Sequence, residues 1–250
     1  MEVINQILGR IKRNGYFKKI NRFAYKPYDL KLALRVVEEI GKSRNPNFVI
    51  DDENRFTYEN LIRWVQGDEA MMCLDPETKQ PIPGRLDKGI YIAGGTGTGK
   101  SWALEIMSVY TTIDRIQVNF GTGLDGKDVI GNLQWGCTRA DEICEEYTRD
   151  GTFERFKKWK VVGIQDLGTE PAESIYMGNR IDVMRAILEY RGDKTDRITL
   201  ITSNLPINHQ KLVDRYGDRV ASRLAEMCNY FELRGTDRRK AQNRPNNAKK

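Results

Sequence analysis

Residues 89–102 read Gly-Ile-Tyr-Ile-Ala-Gly-Gly-Thr-Gly-Thr-Gly-Lys-Ser-Trp, a short apolar run that enters Gly94-x-x-x-x-Gly99-Lys100-Ser101 without a break. The pattern demands a strand, a tight glycine turn and a helix in that order, which is the opening unit of a parallel α/β sheet. Ile90, Tyr91 and Ile92 supply the strand, and Trp102, Ala103, Leu104, Ile106 and Met107 supply the helix, so the match is more than a chance glycine-rich turn. Glycine permits positive φ and close backbone approach. Successive N–H groups from Gly94 through Gly95, Thr96, Gly97, Thr98 and Gly99 can therefore curl around a polyphosphate at the start of a helix. Lys100 is expected to reach the β- and γ-phosphates and Ser101 to place its hydroxyl on Mg²⁺, while Thr96 and Thr98 fill positions that point away from the ligand. The expected ligand is ATP or ADP with Mg²⁺, held by residues 94–101 together with Trp102.

A chain of 250 residues suits one α/β domain with a smaller appendage. No run reaches the ~18 apolar residues of a membrane span, and no secretory signal opens the chain, so a cytoplasmic protein without membrane contact is expected. Cys73, Cys137, Cys144 and Cys228 include no C-x-x-C pair and the only histidine is His209, which supports neither a zinc site nor a disulfide framework. The formal charge of +6 is unevenly spread. Residues 1–23 hold six Lys/Arg against Glu2 and residues 234–250 hold seven against Asp237, leaving the body between them net negative. Basic ends on an acidic body suit contact with a polyanion, although solubilising tails have the same composition.

Val3, Ile4, Ile7, Leu8 and Ile11 fall at helical spacing with Arg10, Lys12 and Arg13 off that stripe, which predicts a basic amphipathic helix ended near Gly15. Such a stripe can dock into a partner's groove, lie on an anionic membrane or pack on its own domain. Further helices are predicted over 28–42 and 57–66, with Phe48-Val49-Ile50 as a short extended piece after the Asn45-Pro46-Asn47 turn. Residues 67–88, with Pro76, Pro81 and Pro83, read as a loop. Beyond the P-loop helix, strands are predicted at 115–119, 160–165, 197–203 and 229–233 with helices between them. That alternation gives a parallel five-stranded sheet with helices on both faces and the ligand at the carboxyl ends of the strands. Residues 240–250 lack the apolar content to fold.

Hydrolysis of a bound triphosphate needs a carboxylate at the end of a neighbouring strand. Val161-Val162-Gly163-Ile164-Gln165-Asp166-Leu167-Gly168-Thr169-Glu170 is the one good candidate. Together with Thr202-Ser203-Asn204-Leu205 and Tyr216-Gly217-Asp218-Arg219-Val220-Ala221-Ser222-Arg223-Leu224, it resembles the AAA+ ATPases of the DnaC and IstB type, which are replicative-helicase loaders and transposition helper ATPases. The resemblance covers residues 89–239, and residues 1–88 carry no such signature.

The resemblance implies a P-loop NTPase fold, with residues 1–88 as a mainly helical partner-binding region, 89–239 as the ATPase domain, and 240–250 as a basic tail. Only 17 residues follow the last predicted strand, too few for a helical lid. By the same resemblance Asn204 matches the sensor-1 residue at the γ-phosphate, and Arg223 the arginine finger that enters a neighbouring subunit's site. Arg219, one helical turn earlier, shares or replaces that finger, and Arg238 stands where a sensor-2 arginine is carried. A solvated helix also explains an isolated arginine.

One position departs from the resemblance. The strand usually ends in two acids, the first on Mg²⁺ and the second activating water, whereas Gln165 occupies the first place here. Either Asp166 takes the metal by a local shift, leaving Glu170 or no residue as base, or Asp166 stays the base and Ser101 with phosphate holds Mg²⁺. Slow ATP hydrolysis with retained binding is expected. The resemblance implies a loader that self-associates through a trans arginine finger, grips a replicative helicase through its N-terminal region and touches single-stranded DNA. A transposition helper acting on duplex DNA with a transposase, and a non-hydrolysing ATP-bound scaffold, are the competing expectations. A small-molecule kinase leaves Asn204 and the Arg219/Arg223 pair unexplained.

Overall fold

Every residue of Ile90–Ala93 is buried, and a strand with no polar face has to be covered on both sides. The computed structural model, which describes residues 3–7, 19–23, 25–123, 125–235 and 237–238, covers it in that way. The chain begins with a helical turn at residues 3–7 (α1), β1 (Asn21–Arg22), α2 (Leu30–Arg44), α3 (Arg55–Gln66), β2 (Met72–Leu74), β3 (Pro81–Pro83), β4 (Gly89–Gly94) and α4 (Lys100–Ile113). It continues through β5 (Gln117–Thr122), β6 (Asp128–Asn132), β7 (Cys137–Arg139), α5 (Ala140–Asp150), α6 (Glu154–Lys158) and β8 (Val161–Leu167). Then follow β9 (Ser174–Tyr176), β10 (Asn179–Ile181), α7 (Val183–Gly192), β11 (Ile198–Ser203), α8 (Gln210–Tyr216), α9 (Asp218–Met227) and β12 (Cys228–Leu233).

The main sheet runs β3-β2-β12-β4-β11-β8-β7, and the five strands from β12 to β7 are parallel. Strand alternation divides the core in two. Ile90, Ile92, Leu200 and Phe231 pack with α2, α3 and α4 on one face, whereas Tyr91, Ala93, Ile201 and Tyr230 pack with α5, α7 and α9 on the other. The boundaries have local causes. Asp29 accepts from the Lys31 and Leu32 amides to start α2, and Gly67 at φ 73° ends α3 in the left-handed conformation that favours glycine.

The five parallel strands are not the five predicted ones. The predicted strand at 115–119 exists as β5, but it pairs antiparallel with β1 and β6 in a separate three-stranded sheet. Its place in the main sheet is taken by β7, three residues with no apolar alternation to announce them. The predicted loop at 67–88 also contains an antiparallel hairpin, β2–β3, which adds two strands beside β12. Pro81 and Pro83 fall on β3, the outer strand, where a missing N–H breaks no ladder. Tyr58, Leu61 and Trp64 of α3 lie in the same core as Ile90 and Leu104, so residues ahead of the P-loop are built into its support.

Val3, Ile4 and Ile7 of α1 are exposed, while Leu8, Ile11 and the tail 240–250 lie outside the described residues. No described helix is long and apolar enough to cross a membrane.

Arg191, 1 % exposed at the end of α7, ties the sheet to the α6–β8 turn. Its guanidinium donates to the hydroxyl of Thr199 (2.8 Å) and to the carbonyls of Phe156 (2.9 Å), Trp159 (2.8 Å) and Ile198 (2.6 Å). Arg191→Met is isosteric enough to pack but strands these acceptors. It is expected to cost about 3 kcal/mol or more in urea-induced unfolding, and a loss under about 1 kcal/mol would show that water replaces the arginine.

Candidate functional site

The loop between β4 and α4 is shaped by backbone that side chains would obstruct. A Cβ on Gly94 would stand 2.2 Å from the Leu233 carbonyl oxygen, and Gly97 and Gly99 adopt φ 81° and 94°. Thr98 folds back, its hydroxyl donating to the Gly95 carbonyl at 3.0 Å. Lys100 is 5 % exposed, and its ammonium donates to the Gly95 carbonyl (2.7 Å) and to Asn204 Oδ1 (2.8 Å). That second bond exists because β11 lies between β4 and β8, which brings Asn204, the residue after β11, to the mouth of the loop.

Asp166 arrives by a different device. The β8–β11 register slips between Ile201 and Ser203, and Asp166 at that bulge has φ 56°. Its amide donates to Thr202 Oγ1 (3.0 Å), and its carbonyl accepts from the Thr169 hydroxyl (2.8 Å). The bulge separates the fates of two neighbours. Asp166 lines the cavity over the P-loop, while Gln165 is buried beneath α4 and donates to Glu105 Oε1 at 2.9 Å. Glu105 in turn pairs with Arg44 on α2. Glu170 lies elsewhere, its carboxylate bound to the Gly168 amide, Arg215 and Tyr216, so it does not face the cavity as an alternative base.

The cavity measures about 610 Å³, within the range of small-molecule sites. Thr96, Gly97, Thr98, Gly99, Lys100, Ser101 and Trp102 form one wall and Asp166, Asn204 and Arg238 another. Gly94 and Gly95 shape the loop behind it. The third wall escaped sequence reasoning: Asn45, Phe48, Val49, Asp51 and Asn54 from the turn between α2 and α3, with Tyr58 from the first turn of α3. Buried Asn54 holds this turn, accepting from the Asp51 amide (2.9 Å) and donating to the Val49 carbonyl (3.0 Å). Phe48 packs edge-on to Tyr58 (5.7 Å) and against Trp102 (6.4 Å), giving the cavity an aromatic floor. Burial raises the Tyr58 pKa, so its hydroxyl stays protonated. An Asn-rich turn placed before an apolar run was the available signal.

The arginines divide. Arg238 donates bidentately to Asp51 (2.9 and 3.0 Å) and its amide bonds to the Gly97 carbonyl (3.0 Å), so it clasps the loop to the aromatic wall. Hydrogen bonding from Arg238 holds the Asp51 carboxyl below its ordinary pKa. Arg223 lies outside the cavity, donating to the Glu189 carbonyl (2.8 Å) and pairing with Asp193 (2.5 Å) on its own chain. Arg219 is also outside it but exposed, with no ion pair or hydrogen bond among the described residues.

The residues fit a nucleoside triphosphate with its cation. The left-handed glycines open the loop backbone, Lys100 supplies positive charge, and the Ser101 hydroxyl with the Asp166 carboxylate offers oxygen ligands for a hard divalent cation. Phe48, Tyr58 and Trp102 offer an apolar surface for a base.

No family model matches the chain, and no curated protein does. Among solved structures the chain is similar to a candidate primosome component from Streptococcus pyogenes serotype M3, at 18 % identity over 75 % of this chain and 83 % of that one, TM-score 0.49. It is also similar to AMPPCP-bound DnaA from Aquifex aeolicus (16 %, 75 % and 48 %, TM-score 0.45) and to the DnaC helicase loader (14 %, 76 % and 94 %, TM-score 0.46). The similar region spans about half of the DnaA chain.

The Gln165–Glu105 contact makes a specific expectation. Gln165→Asp sets a second carboxylate near Glu105 and is expected to lower stability by about 1–2 kcal/mol, with Glu105→Gln in the same chain restoring at least half of it. A double-mutant cycle in urea reads this, and strictly additive losses would show that the two side chains are uncoupled.

Proposed function

We propose that this chain is an ATP-binding AAA+ protein of DNA replication that loads a ring helicase onto single-stranded DNA through ATP-controlled self-association. The observation that carries the nucleotide part is the Lys100–Asn204 hydrogen bond beside Asp166, which brings the P-loop, a polar strand end and a carboxylate to one cavity. Residues 94–101 hold the phosphates, Trp102, Phe48 and Tyr58 face the base, and Ser101 with Asp166 hold Mg²⁺. Bound Mg²⁺ supplies charge neutralisation at the phosphate oxygens. Asn204 orients the γ-phosphate end through its shared contact with Lys100, and the neutral, buried Gln165 leaves one carboxylate where two are usual, which supports slow hydrolysis. The same feature favours the scaffold reading if turnover proves absent.

Self-association supplies what the cavity lacks. Beyond Lys100, the arginine at the site is Arg238, and it is neutralised by Asp51, so charge spread over a leaving phosphate has to be met from outside. Arg219 is assigned this role on the strength of its exposure on α9 with no ion pair or hydrogen bond among the described residues, whereas Arg223 pairs with Asp193 and the Glu189 carbonyl. Residues 1–88 are proposed to contact the helicase. Their segment 45–58 also walls the cavity, so partner contact and nucleotide occupancy meet in one stretch of chain.

Three variants test this reading with a fluorescent ATP analogue and light scattering. Lys100→Ala is expected to weaken nucleotide binding about a hundredfold. Arg219→Ala is expected to leave affinity within about twofold while lowering ATP-dependent assembly or hydrolysis at least about tenfold. Arg223→Ala is expected to act through stability, by about 1–2 kcal/mol. If Lys100→Ala binds normally, the cavity is not a nucleotide site. If Arg219→Ala behaves as the parent, no trans finger acts there.

A further inference from the structure

At the amino ends of β8 and β11, opposite the end that forms the cavity, cations and aromatic rings are gathered on one face. Arg155-Phe156-Lys157-Lys158-Trp159-Lys160 leads from α6 into β8, and Lys194-Thr195-Asp196-Arg197 leads from α7 into β11. The two stretches are bound together. Arg197 donates to the Lys158 and Trp159 carbonyls, the Ile198 amide donates to the Lys160 carbonyl (2.8 Å), and Arg191 braces the Phe156 and Trp159 carbonyls from beneath. Lys19 is brought alongside by the Ile20 amide, which donates to the Thr195 carbonyl at 3.2 Å.

The rings alternate with the charges. Trp159 is 42 % exposed with the Arg155 guanidinium 5.1 Å from its ring centre. Tyr190 on α7 is surrounded by Lys157 (5.7 Å), Lys194 (5.2 Å) and Arg197 (5.7 Å). Of the seven cations on this face, Lys19 included, six share four carboxylates, those of Asp87, Glu146, Glu154 and Asp196. Asp193, beside Lys194, turns away to Arg223, and Lys194 has no acidic partner among the described residues.

Resting on the reading above that this protein works on DNA, we infer that this face is where single-stranded nucleic acid docks, its phosphates on Lys158 and Lys194 and a base on Trp159. The mixture selects the partner. Excess positive charge attracts any polyanion, but an exposed indole framed by cations is matched by a polymer that carries phosphates and uncovered base faces together. A duplex keeps its base faces stacked inside, and an acidic peptide has no flat surface for the ring.

The test is fluorescence anisotropy of the full chain with labelled oligo-dT, oligo-U of equal length and a duplex, over a series of salt concentrations, with polyglutamate as competitor. The parent is expected to prefer single strands. Lys158→Glu with Lys194→Glu should weaken binding about tenfold or more and flatten the log K against log[salt] slope by roughly 1.4, as for two lost phosphate contacts. Trp159→Ala should weaken it roughly fivefold or more with the slope unchanged, and Trp159→Tyr, which keeps a stacking face, should recover most of that loss. ATP affinity should be unaltered in all of them. A dT or U preference identifies the natural strand within the same chemistry. Unchanged single-strand binding in the variants overturns the location and leaves the functional reading standing. Equal binding of duplex, or displacement by polyglutamate at equal charge, overturns base stacking. A parent that binds ATP but no polynucleotide removes both this surface and the DNA part of the reading.

Discussion

Lys100 is 5 % exposed, and an ammonium so far removed from water has to be met by acceptors brought to it. One acceptor, the Gly95 carbonyl, is local to the loop; another, Asn204 Oδ1, comes from a strand more than a hundred residues away. The strand order serves this contact. With β11 between β4 and β8, the ends of three parallel strands converge, and the loop, the amide and the carboxylate of Asp166 share one opening. A β11 placed at the edge of the sheet would leave Lys100 without that partner.

The bulge at Asp166 resolves an electrostatic problem in the same place. Side chains alternate along a strand, and α4 sets Glu105 beneath the sheet's end, so an acid at position 165 would face another acid. A glutamine there donates instead, and the slipped register turns Asp166 to the cavity as its carboxylate. Left-handed backbone is tolerable for aspartate, and the bonds to Thr202 and Thr169 hold it. Gln165 and Asp166, neighbours in sequence, thus receive different partners and different backbone, and of the two Asp166 lines the cavity.

Segments from both sides of the P-loop in sequence close the cavity. Asp51, from the α2–α3 turn, and Arg238, beyond β12, meet across the loop in a bidentate pair, with the Arg238 amide on Gly97. The aromatic floor of Phe48, Tyr58 and Trp102 is fixed beneath them. The cavity over the glycine loop and the basic aromatic face then occupy opposite ends of the same parallel strands, so β8 and β11 connect them directly.

Much of this was legible because it is local. A glycine loop between an apolar strand and a helix has a pattern confined to about a dozen residues, and largely buried strands such as β8, β11 and β12 announce themselves by composition. β7 carried no such pattern, since three residues cannot display a period, and the antiparallel pairing of 117–122 with β1 and β6 is not recorded in that segment's own composition. Phe48 and Tyr58 are core residues; only the packing of α3 against the P-loop side of the sheet makes their outer edge a wall. The contacts of Arg219, Arg223 and Arg238 were not legible in sequence, because they follow from which carboxylates and carbonyls come within reach of each side chain. The amino-acid sequence alone determined that a glycine-rich loop between a strand and a helix stands on a parallel sheet, since backbone freedom and hydrophobic period are written residue by residue. Tertiary structure decided which strand completes the sheet, which acid faces the cavity and which arginine has no charged partner among the described residues, because those depend on contacts between segments far apart in the chain.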